Sequence, residues 1–465
     1  MKNRAEIAEK GLLHIKGMTK GSRNLVFAAL LLINFQFIAA CGVAETSAND
    51  RRRKNETALL EAKENIAKFR LGRAVIKVVD ERGNPAPNVG LVVRQVSHAF
   101  KFGCYLKIDD LDPAKLPAYE RLFKNLFNYA VIGNYWANIE TKKGDENWLW
   151  FDREVELGRK LGFETAAAPI LWGTSQFGTP GWLPDQKNDL SPILERRVKS
   201  SVSRNVGVTD IEVVNEPLAQ KKDFFAHVAG EGYILSALKW ARDAGPGKRL
   251  MINEYGVFGS LPKHNYNRDR YFDLLKHLLS KGAQIDVIGI QAHANGEWFS
   301  PANVAEQLAR YSEFGRPLQV TEFSVQTFDY DDRTLPVKIS GTYQKGVWDA
   351  EKQARFYREF YTIAFGNPRV EAVVTWGLDD ERAWLPGIGL IDRTGQPKPV
   401  YRELDRLINN EWKTRLEGKS DANGDFTFSG FFGDYEITAT KGRTQRTKST
   451  LAKGAMNEWV VHLGS

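Results

Sequence analysis

The stretch DIEVVNEPLAQ, residues 210–220, runs valine-rich and strand-like into Asn215, Glu216 and Pro217. A carboxylate at the tip of an apolar strand costs free energy unless something satisfies or uses it. A second glutamate, Glu322, ends a similar run in PLQVTEF at 317–323. Two carboxylic acids that face one cleft can divide acid and base work at a single bond. One protonates a leaving oxygen while the other attacks carbon or activates water, which is the chemistry of glycoside hydrolysis. Other apolar runs also end in polar or aromatic residues: Trp172; Asn253, Glu254 and Tyr255; Gln291 and His293; and Trp376, followed by Trp384. Flat aromatic faces suit pyranose rings, and polar groups converging among them describe a carbohydrate cleft. Glu254 reads either as a group that perturbs Glu216 or as a solvated side chain. Asp379 and Asp380 read as loop-shaping residues rather than a third acid.

The positions of these residues follow from the elements that carry them. Eight short apolar runs recur through the middle of the chain, at 99–106, 128–134, 165–172, 211–216, 249–255, 286–293, 317–323 and 370–378. Amphipathic segments lie between them; in DRYFDLLKHLLSKG, Tyr271, Leu274, Leu275 and Leu278 fall at i, i+3, i+4 and i+7. Strand–helix alternation implies right-handed crossovers and a parallel sheet. Eight such units predict a closed (β/α)₈ TIM barrel, in which catalytic residues sit at the C-terminal strand ends. A doubly wound open sheet is the alternative, but no Gly-rich phosphate turn follows the first strand. In the barrel, Glu216 ends strand four and Glu322 strand seven, so both face one mouth.

Both flanks return to period-two alternation. AVIKVVDERGNPAPNVGLVVRQV reads as a β-hairpin around a Gly-Asn-Pro turn, and DANGDFTFSGFFGDYEITATKG with EWVVHL reads as further strands. The two flanks resemble the halves of a carboxypeptidase-regulatory-like β-sandwich, which implies one small β-domain assembled from both ends. Residues 42–72 are polar, Ala-rich and charged, and read as a spacer with at most a short helix in ETALLEAKENIAKF. The expected organisation is a lipoprotein signal at 1–41, a linker at 42–72, a first β segment at 73–97, the barrel at 98–411 and a second β segment at 412–465.

The N-terminal residues place six Lys/Arg before the apolar run LVFAALLLINFQFIAAC. That is a basic region followed by a short apolar one, a secretory pattern. Ile38-Ala39-Ala40-Cys41 resembles a bacterial lipobox, so Cys41 is the expected lipidation site and the protein an exported, lipid-anchored one. Gly42 lacks the Asp that often retains lipoproteins in the inner membrane, which favours the outer membrane. With Cys41 lipidated, Cys104 has no partner for a disulfide. Residues 1–40 carry half of the net charge of +8, and no basic-aromatic module for nucleic acid is present. Of seven histidines only His293 falls at a strand end, so no metal site and no cofactor is expected. The protein is expected to be monomeric.

VVNEP, INEY, IGIQAH, VTEFS, WGLDDERAWL and GLIDRTGQPKPVY occur in order over residues 98–408. Together they resemble glycoside hydrolase family 10, the retaining endo-β-1,4-xylanase family. The resemblance implies Glu216 as acid/base and Glu322 as nucleophile, with Asn215 holding the sugar 2-hydroxyl. It further implies Asn134 as a substrate-binding residue, Gln291 and His293 at the sugar beside the nucleophile, Trp172, Trp376 and Trp384 as platforms, and Tyr255 beside the acid. The chain departs from the family pattern in three places. Glu-Asn-x-Met-Lys-Trp becomes Gly133-Asn134-Tyr135-Trp136-Ala137-Asn138, and Gly-His-x-Leu-x-Trp becomes Ala167-Ala168-Pro169-Ile170-Leu171-Trp172. The Asp two residues after the nucleophile becomes Ser324. Tyr135, Trp136, Asn138 and Glu140 are the nearest replacements for the lost sugar-gripping groups. The expected activity is retaining hydrolysis of xylan or a related β-glycan, with a β-glycanase of other specificity and a non-catalytic sugar-binding protein as alternatives.

Overall fold

A parallel strand covered by helices on one side and by the barrel interior on the other is buried on both faces. In Asp210–Asn215 (β7) and Leu318–Val325 (β10) every residue is buried. The computed structural model describes residues 48–173, 178–218, 223–230, 232–259, 265–294, 297–327 and 348–463. Cys41 and the apolar N-terminal run lie outside them. Among the described residues, no helix is long and apolar enough to cross a membrane.

The barrel strands are β3 (Lys101–Leu106), β4 (Tyr129–Gly133), β5 (Glu164–Ala168), β6 (Leu171–Trp172), β7, β8 (Arg249–Glu254), β9 (Val287–Ala294), β10 and β11 (Val370–Thr375). They pair in parallel in the order β5-β4-β3-β11-β10-β9-β8-β7-β6, and a β5–β7 pairing closes the ring. This is a TIM barrel of eight staves, as the strand count predicts. The stave expected as one strand over 165–172 consists of two pieces, β5 and β6. Pro169 has no N–H for a ladder, and Ile170 donates its own to the Glu212 carbonyl at 2.9 Å.

Register assembles the cleft. Trp172 pairs with Asn215 and Asn215 with Asn253; Glu322 pairs with Gln291 and Ser324 with His293. The ladders shift between Glu212 and Val214 and between Val320 and Glu322, on the two strands that carry the glutamates. A bulge of this kind re-aims the side chains beyond it.

The flanking strands are β1 (Leu71–Val79), β2 (Gly90–His98), β12 (Arg415–Lys419), β13 (Asp425–Phe431), β14 (Gly433–Lys441), β15 (Arg443–Leu451) and β16 (Glu458–His462). They form two sheets, β13-β1-β16 and β12-β2-β14-β15. The hairpin expected of β1 and β2 does not form, because the two strands belong to different sheets. Their connection turns on the Asp80 carboxylate, which accepts from the Arg82 and Asn84 amides at 2.9 Å each. It then buries Ala86 and Val89 between the sheets, a crossing rather than a tight reversal. Alternate residues of both sheets, among them Ile76, Val93, Tyr435, Ile437 and Val461, share one core.

The segment read as a spacer is also different. Residues 48–70 are helical. Two compact units divide at Thr57 and Ala58, and in the larger one Ala58, Ala62 and Ile66 pack into the barrel's core. A Cβ on Gly366 would meet the Ala62 backbone oxygen at 2.6 Å. Alanines at a spacing of four make a helix face that fits against glycine, and their small side chains give little hydrophobic signal in sequence.

Candidate active site

Glu216 follows the last residue of β7 with φ at +52°, a conformation uncommon for a residue with a side chain. Its amide donates to the Asn253 carbonyl at 2.9 Å, which holds the kink in place. Pro217 has no N–H to extend the strand. The side chain is thereby turned into a cavity of about 910 Å³ at the C-terminal mouth of the barrel.

Both glutamates are held by neutral donors in one network. Glu216 Oε2 accepts from Trp172 Nε1 at 3.0 Å and Oε1 from Gln291 Nε2 at 3.0 Å. The same Gln291 nitrogen donates to Asn215 Oδ1 at 3.1 Å. Asn253 Nδ2 donates to that oxygen at 3.2 Å and to Glu322 Oε1 at 3.1 Å. Thr321 Oγ1 donates to Asn253 Oδ1 at 2.7 Å and so orients the amide. Two side-chain amides and one shared acceptor therefore connect the carboxylates.

Glu322 Oε2 lies 3.0 Å from His293 Nε2, and His293 Nδ1 lies 2.8 Å from Ser324 Oγ. A carboxylate only accepts, so Nε2 is the donor to Glu322, and Ser324 Oγ holds the other ring nitrogen. Trp384 packs edge-on against His293 with ring centroids 5.0 Å apart.

Burial, and after it the Glu322 charge, push the Glu216 carboxyl above the ordinary range; the hydrogen bonds from Gln291 and Trp172 pull back without cancelling this. A carboxyl whose affinity for its proton is raised beside a second carboxylate is suited to act as an acid. A third carboxyl, Glu212, also lines the cleft and is fully buried. Burial, then the charges of Glu322 and Glu216, raise it well above the usual range against one Asn253 hydrogen bond. Glu212 was missed in sequence, although an acid in the middle of IEVVNE is itself a signal. Glu254 is neither solvated nor on the cleft wall. It is fully buried and accepts from the amides of Leu218 and Tyr255 at 2.9 Å each and from Asn267 Nδ2 at 3.1 Å. Burial pushes it up to about 8. Its contact with Leu218 fixes the turn after Glu216.

Nine of the ten residues singled out in sequence line the one cavity: Trp172, Asn215, Glu216, Tyr255, Gln291, His293, Glu322, Trp376 and Trp384. Asn134 does not. It is fully buried, and its Oδ1 accepts from Arg197 Nη2 at 2.5 Å behind the strand. The four proposed replacements divide in the same way. Trp136 is buried and donates to Glu140 Oε2 at 2.8 Å, while Glu140 also accepts from Arg196 and from the Gly144 amide. That pair is structural. Tyr135 and Asn138 do line the cleft. A Cβ at Gly133 would meet the Tyr135 ring at 2.7 Å and the Tyr105 hydroxyl at 2.8 Å, so the glycine is what admits both phenols. Tyr105 stacks on Trp376 with centroids 4.5 Å apart and planes 21° apart. Asp379 accepts from the Glu381 and Arg382 amides and pairs with Arg382, and Asp380 accepts from the Gly389 amide, so both aspartates shape their loop.

Comparisons with known proteins agree with this geometry. Residues 92–406 match the sequence model of glycosyl hydrolase family 10. Endo-1,4-beta-xylanase B of Thermotoga neapolitana is 30% identical over 315 residues, spanning 64% of this chain and 85% of that protein. A beta-1,4-xylanase of Dictyoglomus thermophilum is 28% identical over 306 residues, 62% of this chain and 83% of its own. Among solved structures, xylanase 10B from Thermotoga petrophila in complex with xylobiose shares the fold. Its TM-score is 0.56 at 22% identity, covering 67% of this chain and 95% of that one. A cleft built on paired strand-end glutamates and a match that spans more than half of the sequence lead to one assignment: the chain belongs to glycosyl hydrolase family 10.

Proposed function

We propose that the protein is a retaining endo-β-1,4-glycanase acting on xylan or a related plant cell-wall β-glycan. The observation that carries this reading is the amide network joining Glu216 to Glu322, in which burial and the Glu322 charge raise Glu216. In the first step a Glu322 carboxylate oxygen bonds to the anomeric carbon. The glycosidic C–O bond breaks, and the Glu216 proton passes to the leaving oxygen. In the second step Glu216, now a carboxylate, takes a proton from water. The hydroxyl oxygen bonds to the same carbon and Glu322 leaves, so the anomeric configuration is retained. His293 steadies the nucleophile, and Asn215 is placed to bond a sugar hydroxyl beside it.

A β-glycanase with a different preference on the glycone side is the second reading. It is favoured by Tyr135, held against Gly133, and by Ala168 on the cleft wall where the family pattern has histidine. An acyl anchor at Cys41, with the enzyme held at the outer membrane and acting as a monomer, completes the proposal. It is tested by fatty-acid labelling of wild type and Cys41→Ala.

The test of function uses residues 42–465 on xylan, arabinoxylan, mixed-linkage glucan and mannan, with product configuration followed by proton NMR. Hydrolysis with retention, abolished by Glu322→Ala, is expected. Inversion, or activity unchanged in Glu322→Ala, sinks the mechanism. Inactivity on the whole panel sinks the glycanase reading.

A further inference from the structure

The small β-domain carries a face that the chemistry of the barrel does not use. In the sheet β12-β2-β14-β15, Leu91, Val93, Ile437 and Ala439 point into the domain's core, so the residues between them point outward. Register lays those residues out in rows across all four strands. One row runs Arg415, Arg94, Glu436, Lys448, and the next Glu417, Val92, Thr438, Arg446. Lys419 heads a third row, which passes Thr440. The five cations are all exposed, and only two acids stand among them. On the opposite sheet Lys77 is paired with Glu458 at 2.8 Å; among the described residues none of these five has such a partner. Charge on the outer strands is ordinary, because it keeps an open edge from pairing with another chain. That does not account for Arg94, since β2 lies inside the sheet between β12 and β14. Arg94 stands directly opposite Arg415, and like charges so placed destabilise a sheet. A pairing that folding disfavours, within a cationic face, points to a ligand that supplies the negative charge.

We propose that this face binds a polyuronate, a polysaccharide whose sugars carry carboxylates, and so holds the protein on the matrix around its substrate. The choice of a polysaccharide rests on the glycanase reading; the cationic face does not. Three rows across four strands present a flat surface about 14 Å wide and about 14 Å long, room for several sugars of an extended chain. Guanidinium groups bond carboxylates through two parallel N–H donors. The Thr438 and Thr440 hydroxyls lie between the cations and can bond the sugar hydroxyls. Phe428, Tyr435 and Trp459 of the same domain are buried in its core, so the rows offer no ring on which a neutral sugar could stack. Charge therefore carries the recognition. A membrane-docking surface sets Trp, Phe or Leu among its cations, and a site for single-stranded nucleic acid needs stacking platforms. The rows hold neither, and their one apolar side chain, Val92, is half-buried.

The experiment measures binding of residues 42–465 to polygalacturonate, to the same polymer with its carboxylates reduced to alcohols, to phosphatidylglycerol vesicles and to single-stranded DNA. Wild type is expected to bind polygalacturonate in about 0.02 M salt, to leave it in about 0.5 M salt, and to ignore the reduced polymer. Arg94→Thr is expected to weaken binding about 3-fold, and Arg446→Glu combined with Lys448→Glu about 10-fold or more. Turnover of a short soluble xylooligosaccharide should be unchanged in both variants. Arg94→Thr also removes the repulsion with Arg415, so its melting temperature should equal or exceed that of wild type, which separates lost binding from lost fold. No binding by wild type, equal binding by the variants, or equal binding to the reduced polymer overturns the proposal. Tighter binding to the vesicles or to DNA overturns it too, and gives the face to that partner. Hydrolysis of xylan without binding to polygalacturonate strikes the face alone. Binding by a protein inactive on every β-glycan strikes the glycanase reading and leaves the face standing.

Discussion

The two ends of β7 carry buried acids with opposite fates. At the N-terminal end Asp210 is fully buried, yet it lies below the ordinary carboxylate range. Burial pushes it up, but Lys101, Arg249, Gln319 and Tyr129 together outweigh that. Lys101 Nζ is 3.0 Å away, the Tyr129 hydroxyl and Gln319 Nε2 2.8 Å, and Arg249 Nη1 3.3 Å. Toward the C-terminal end Glu212 and, just past the last residue, Glu216 are raised by burial and then by neighbouring carboxylate charge, and the amides and indole that bond them do not cancel this. Burial alone does not set the charge of a group; the partners do. One strand thus presents a charge-neutralised floor and a mouth where protons are available for transfer.

The contrast can be broken from either end. Glu322→Ala has the largest expected effect, a loss of about 10⁴-fold or more in kcat/KM, with an unchanged melting temperature separating lost chemistry from lost fold. Glu216→Gln is expected to cost about 10² to 10⁴-fold, most on substrates with poor leaving groups, and to abolish the fall in rate at high pH that deprotonation of Glu216 imposes on wild type. A basic limb that persists in Glu216→Gln would assign the proton elsewhere. At the floor the currency is stability. Asp210→Asn leaves Lys101 with Glu164 and Arg249 with Glu371 as their remaining carboxylate partners, and is expected to destabilise the fold by about 1–3 kcal/mol in urea melts, while the surviving folded fraction stays active.

The pH dependence of stability should separate the two ends as well. Asp210 has a lowered folded pKa, so its contribution is full above its unfolded value of 3.8 and is lost as pH falls through the folded value. The raised carboxyls act the other way. Glu212, Glu216 and Glu254 take stability from the fold as pH rises from 4.5 towards their folded values, about 8 for Glu254. Urea midpoints are therefore expected to fall both below pH 4 and between pH 5 and 9, and Glu216→Gln should lessen only the second decline, with Glu212 and Glu254 left to drive the rest. The smallest effect is at Ser324. Removing its hydroxyl from His293 Nδ1 in Ser324→Ala should slow turnover by roughly 5-fold, the value of about one hydrogen bond. A loss as large as that of Glu322→Ala would mean that the serine does more than orient the imidazole.

How legible these features were in sequence depended on what kind of element carried them. The eight staves could be read because parallel strands buried on two faces are rich in branched apolar residues, and their polar ends pointed to residues that share one cavity. Asn134 misled because its strand-end position is the same whether the side chain faces the cleft or, as here, Arg197. Trp150 and Glu154, on the helix Leu149–Leu161, also line the cavity but gave no signal, since a helix that contributes to a cleft looks in sequence like any other amphipathic helix. The β1–β2 hairpin misread had a similar cause: alternation reports that a residue faces a core, but not which strand lies beside it.

The pairing of β1 has a consequence for how the chain reaches this fold. Its antiparallel neighbour β13 begins at Asp425 and its parallel neighbour β16 at Glu458, each more than three hundred residues downstream. On a ribosome, β1 and β2 emerge more than three hundred residues before the strands they pair with. Contacts of such long sequence separation form late and slowly. The barrel's sequential staves can close first, and the flanking sheets then fasten its two ends together as the last step of folding.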